Sequence, residues 1–120
     1  MTASEERDRL LIHEMLRHIA VIRSATEGGK DSLSEPKNRY AAEHGAELLA
    51  EAAEKVSNPF KTANPGVPWE RVKKLRKTVA HPYDLGATAV DIEEIWVFAT
   101  DDAPKIARKL RNPKLPTQRK

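Results

Sequence analysis

The chain has 120 residues, enough for one domain with a single core and too few for two. Its 21 Lys+Arg against 18 Asp+Glu leave a net charge of +3, which permits a polyanionic partner without demanding one. The absence of cysteine excludes disulfides, thiolate zinc sites and cysteine nucleophiles; no apolar run approaches the ~18–20 residues of a membrane span, and the charged segment Met1–Arg7 lacks a signal-peptide apolar region, so a cytoplasmic protein with no membrane partner is expected.

Helical periodicity runs nearly throughout, with no convincing two-residue alternation. A first helix is predicted from Thr2, which with Glu5 has capping-box spacing, to about Ser24. Leu11, Ile12, Met15, Leu16, Ile19 and Ile22 form its apolar stripe. Gly28-Gly29 ends it, and a polar loop follows to Ser34. A second helix is predicted with Ser34 as its cap and Pro36 in its first turn, running to Val56. Its stripe is mostly small: Ala41, Gly45, Leu48, Leu49, Ala52 and Val56. Asn58-Pro59 and Asn64-Pro65-Gly66 read as loop.

A third helix is predicted from Pro68 to His81, where Pro82 disfavours helical geometry in the residue before it. A fourth starts near Thr88 or Asp91 and carries Ile92, Ile95, Trp96 and Phe98. Pro104 either kinks it or divides it from a short last helix with Ile106 and Leu110. The expected fold is therefore all-α, a four- to five-helix up-and-down bundle over residues 1–111, with a basic, disordered tail over 112–120.

The basic residues cluster. Residues 70–77 hold five of them against one acid, and residues 105–120 hold seven against none. For the second stretch a solubilising end and an RNA-attracting arm are both open readings. Within the first lies the run Arg76, His81, Tyr83, spaced R-x4-H-x-Y. On an ideal helix Arg76 falls within about 40° of both Trp69 and Val72, on the apolar stripe, while Arg71, Lys74 and Lys77 point away. A guanidinium on a packed face needs a partner, either a carboxylate or a ligand phosphate. An imidazole just beyond it suits proton transfer, and a phenol suits phosphate or base contact. These residue types suit ribonucleolytic chemistry without a metal, in which His81 moves the proton and Arg76 stabilises the charged phosphorane. Structural roles remain open for each residue: Arg76 pairing with Glu47 or Glu51, His81 capping the helix, Tyr83 packing. His13, His18 and His44 lack metal-ligand spacing, Glu93-Glu94 and Asp101-Asp102 read as solvated charges, and no cofactor or metal is expected.

The spacing R-x4-H-x-Y at a helix end resembles the signature of the HEPN superfamily, and of its HepT-like toxins in particular. Val67-Pro68-Trp69 resembles the opening of that family's third helix, Glu51-Ala52 its Glu-Ala segment, and Val90-Asp91-Ile92 with Trp96 the stretch after the motif. The resemblance covers about residues 8–111. It implies a homodimeric helical endoribonuclease toxin with two motifs at a cleft on the dimer axis. It also implies a cognate antitoxin resembling a minimal, MntA-like nucleotidyltransferase that transfers AMP onto Tyr83. Lys77 departs from the family, where Asn, Asp or His usually follows the motif arginine. It stands there either as a loss or as an auxiliary phosphate contact. The competing expectation is a noncatalytic helical subunit that binds nucleotide or substrate for a nucleotidyltransferase.

Overall fold

The computed structural model describes residues 2–79 and 89–116, except for the side chains of residues 76–79 and 89–91. Every regular element among them is helical: α1 (Ala3–Ala25), a 3₁₀ turn (Lys30–Ser34), α2 (Pro36–Lys55), α3 (Asn58–Ala63), α4 (Trp69–Val79), α5 (Ala89–Val97) and α6 (Ala103–Arg111). A π turn over Phe98–Asp102 joins α5 to α6. Counted as one rod, α5 and α6 bring the total to five helices, the expected all-α architecture. Among the described residues no helix is long and apolar enough to cross a membrane.

α1 begins as its sequence predicts. The Glu5 amide donates to Thr2 Oγ1 and the Thr2 amide donates to Glu5 Oε1, each at 3.1 Å, which closes the capping box. Its stripe of Leu11, Ile12, Met15, Ile19 and Ile22 is buried. The α2 face against it is built from small residues. A Cβ added at Gly45 would lie 3.0 Å from Ile22 Cγ1 and 3.4 Å from the His18 carbonyl, so the missing side chain is what lets the two backbones approach.

Three local expectations are corrected. The segment before α2 is not a plain polar loop, because it winds into the 3₁₀ turn and buries Leu33 completely. Ser34 does not cap α2; its hydroxyl donates to the Asp31 carbonyl, and Glu35 occupies the cap position with no side-chain bond. Asn58-Pro59 opens helix α3 instead of a loop. Ser57 is its cap, with Oγ accepting from the Phe60 amide at 3.3 Å, and Pro falls in the first turn.

α3 is tied to α1 by Asp8, which is only 2% exposed. Asp8 Oδ1 accepts from the Ser57 amide at 2.9 Å and Oδ2 from the Ser57 hydroxyl at 2.6 Å. Hydrogen bonds to a charged acceptor contribute about 1.5–3 kcal/mol each, and here they hold the cap of a six-residue helix that is too short to stand alone.

Next to Pro104 a π turn over Phe98–Asp102 divides α5 from the short last helix α6, which carries Ile106 and Leu110 as expected. A proline ring clashes with the carbonyl four residues earlier, and the wider π turn gives it room. The Ala103 amide reaches back five residues to the Phe98 carbonyl, and the rod continues into α6. Beyond it the chain runs back across the molecule. The Lys114 amide donates to Asn64 Oδ1 at 2.8 Å, and Asn64 Nδ2 donates to the Lys114 carbonyl at 2.7 Å. Of the tail expected from Asn112, Lys114 is thus tied to the loop at Asn64, and residues 117–120 lie outside the described part.

Candidate active site

α4 is the helix that leads into the Arg–His–Tyr cluster, and its start is fixed from several sides. Trp69 Nε1 donates to the Asn64 carbonyl at 3.0 Å. The indole meets Phe60 edge-on, with centroids 6.5 Å apart and planes at 78°. Lys61 Nζ stands 5.9 Å from the indole centroid. The amides of Arg71 and Val72 both reach the Pro68 carbonyl, so the turn winds from the first possible residue. Val72 and Leu75 are buried, Trp69 is half-buried, and Glu70, Arg71, Lys73 and Lys74 are exposed.

The exposed flank of α4 is tied to the rod. Arg71 Nη1 donates to Asp102 Oδ1 at 2.9 Å, and Asp102 sits at the end of the π turn. Between these elements runs a groove of about 210 Å³, lined by Lys74, Leu75, Glu94, Val97 and Phe98 together with the ion pair. It carries both signs of charge and borders Leu75, the residue before Arg76.

The predicted site residues are placed unequally. Arg76 lies in the last turns of α4, four residues after the fully buried Val72, which puts its backbone position on the packed stripe. Lys77 follows the exposed Lys73 by the same step and takes the outer stripe. The side chains of both are outside the described residues, and so are His81 and Tyr83 altogether. Glu51 is half-buried on α2, a helix packed against both α1 and α4.

The histidines named in the sequence do not assemble. His18 is half-buried between α1 and α2, and its pKa is lowered, first by burial and then by Arg17 and His44, with Glu14 opposing. His13 and His44 are exposed. Among the described residues no three His, Asp or Glu side chains group as a metal would require.

Two structurally engaged carboxylates, Asp102 and Asp8, escaped the sequence reading. Asp102 was expected to be a solvated charge, yet it is buried and holds Arg71. Glu93, grouped with the solvated acids too, pairs with Lys30. Asp8 was not singled out at all. It stands one helical step before Leu11 and Ile12 on the apolar stripe of α1, and a carboxylate on that stripe announces a buried partner.

Taken together, the fold and the placement of Arg76 define a small all-helical domain whose candidate chemistry sits at the end of its fourth helix. Residues 15–112 match the family described as ribonuclease HepT-like, and the chain belongs to that family, within the HEPN superfamily. The match extends from the middle of α1 to the residue after α6 and spans the whole Arg–His–Tyr run. The chain is similar to a protein of Thermococcus cleftensis named "Probable ribonuclease HepT", with 27% identity over 99 residues, covering 82% of this chain and 79% of that one. It is also similar to a protein of Methanocaldococcus jannaschii named "Putative RNase MJ1380", with 31% identity over 72 residues, covering 60% of this chain and 62% of that one. No solved structure matches.

Proposed function

We propose that the chain is an endoribonuclease whose active site is Arg76 and His81, supported by Tyr83. The observation that carries this reading is membership of the ribonuclease family over residues 15–112, a span that includes all three residues. The backbone position of Arg76 one turn beyond buried Val72, on the packed stripe of α4, supports it. In this mechanism the ribose 2′-hydroxyl attacks the adjacent phosphorus and the 5′-oxygen leaves, giving a 2′,3′-cyclic phosphate end. His81 transfers the proton and Arg76 stabilises the phosphorane charge, so the reaction needs no metal. Tyr83 hydrogen-bonds the phosphate or stacks on a base, and Glu51 and Lys77 are auxiliary.

In the same reading the active form is a homodimer with its two clusters facing one cleft, and the chain is the toxin of a type VII-like toxin–antitoxin pair. A MntA-like nucleotidyltransferase neutralises it: the Tyr83 oxygen attacks the α-phosphorus of ATP, pyrophosphate leaves, and AMP remains. The added negative charge beside Arg76 and His81 then repels an RNA phosphate.

The decisive experiment is His81→Ala. Cleavage of RNA and growth inhibition fall by about 10²–10⁴-fold with the helical content and oligomeric state unchanged. Cleavage at the parental rate removes His81 from the mechanism. Intact mass after coexpression with a neighbouring nucleotidyltransferase rises by about 329 Da per AMP, and Tyr83→Phe abolishes the increment. An increment that survives Tyr83→Phe places the modification elsewhere.

A second reading, a noncatalytic subunit that presents nucleotide or substrate to a nucleotidyltransferase, is favoured by one residue only. Lys77 stands where the family usually has Asn, Asp or His. Purified protein with saturable nucleotidyltransferase binding and no RNA cleavage supports this reading over the first.

A further inference from the structure

We propose that the outer face of α6, with the grooves on either side of it, is a second surface for RNA. It tracks the phosphates of a single strand and lies on a different element from α4, which carries Arg76. The inference rests on the ribonuclease reading for the identity of the polyanion, and on the following geometry for its place.

Residues 103–116 carry Lys105, Arg108, Lys109, Arg111 and Lys114 and no acid. All five cations are exposed, while Ala103, Ile106, Ala107 and Leu110 face the core. Among the described residues none of the five forms an ion pair. On an ideal helix Arg108 and Lys109 lie about 60° to one side and about 40° to the other of Lys105, and Arg111 lies about 120° round. A ridge of three cations therefore has one arm reaching out on each side.

Each arm lines a groove. Lys109 and Lys114 border one of about 260 Å³ over the loop that contains Asn64 and Gly66. A Cβ at Gly66 would stand 2.8 Å from Lys109 Nζ, so the glycine is what lets this lysine lie across the loop. Arg111 borders the other groove, of about 250 Å³, with Arg9, His13 and Leu16 of α1. No acidic residue lines either one.

The helix dipole accounts for cations in the last turn of α6, but not for Lys105 before that turn or Lys114 beyond the helix. A protein partner would need apolar anchors, and the exposed large apolar side chains Leu10, Val21, Tyr40 and Val97 all lie off α6. A short cationic ridge between two narrow grooves fits the phosphates of one strand, with the bases left outward.

The test uses the full chain. Binding of a fluorescent single-stranded RNA of mixed sequence is measured in a His81→Ala background, with and without K105Q, R108Q and K109Q together. The triple variant is expected to bind at least about tenfold more weakly at low salt, and the slope of log K against log salt to become shallower by about 2, at roughly 0.7 per lost phosphate contact. With His81 intact, the same triple variant is expected to cleave a dinucleotide at the parental rate, because a substrate with one phosphate offers none for a second surface to hold. Unchanged RNA affinity and slope overturn the proposal, as does unchanged RNA affinity accompanied by lost binding to an acidic protein partner. A parental chain that cuts no RNA, yet loses RNA affinity in the triple variant, removes the ribonuclease reading and leaves the surface standing. Arg111→Gln with Lys114→Gln gives a smaller loss of the same kind and supports the assignment should the triple variant misfold.

Discussion

α4 and α6 are both basic helices, and the contrast between them lies in what faces their charges. On α4 the cations meet acids from the neighbouring rod: Arg71 pairs with Asp102, and Lys74 shares a groove with Glu94. On α6 and the segment after it, five cations meet none among the described residues. Charge count alone would rank the two stretches alike. Pairing separates a helix whose cations locate it against its neighbours from one whose cations are left for a ligand.

The largest effect that sharpens this contrast lies within α4 itself. Arg71 and Arg76 are five residues apart and fall on different faces. Arg76→Ala is expected to lower RNA cleavage by about 10²–10³-fold, the usual loss when one donor to a developing anionic charge is removed. Arg71→Ala is expected to leave the rate per folded molecule within about threefold, since its guanidinium is engaged by Asp102. Single-turnover cleavage of one RNA by both variants measures the difference. Equal losses would mean that Arg71 leaves Asp102 for the phosphate during the reaction.

How much of this was legible in the sequence depended on whether the information was local. The α1 capping box, the α1 stripe and, to within one residue, the start of α4 (expected at Pro68, found at Trp69) were all readable, because caps and periods act within a few residues. Helix α3 was not, since six residues are too few to show a period. Its signal was Ser57 followed by Pro59, a cap with proline in the first turn, and Asn58-Pro59 hid it by reading equally well as a turn. Nor was the π turn: Pro104 announces a disturbance but not whether the helix breaks or widens around it. At the candidate site, the packed-stripe position of Arg76 followed from periodicity alone. The partners of Asp8 and Asp102 lie 49 and 31 residues away, on elements whose adjacency no local pattern specifies.

The smallest effect concerns the ion pair itself, and it is asymmetric. The Arg71 side chain is 64% exposed and the Asp102 side chain 11%. Removing Asp102 leaves a guanidinium that water solvates readily, so Asp102→Ala is expected to cost under about 1 kcal/mol, the range of an exposed pair. Removing the guanidinium instead leaves a carboxylate with little access to water, and an unsatisfied buried acceptor costs about 1–3 kcal/mol. Arg71→Ala is therefore expected to destabilise more than Asp102→Ala, toward the lower end of that range because Asp102 is not fully enclosed. Arg108→Gln on α6 serves as the control. Its charge has no described partner, so stability should stay within about 0.5 kcal/mol. Urea unfolding midpoints for the three variants order them directly. If Arg108→Gln instead matched Arg71→Ala, the α6 cations would be structural, and the contrast between the two helices would fail.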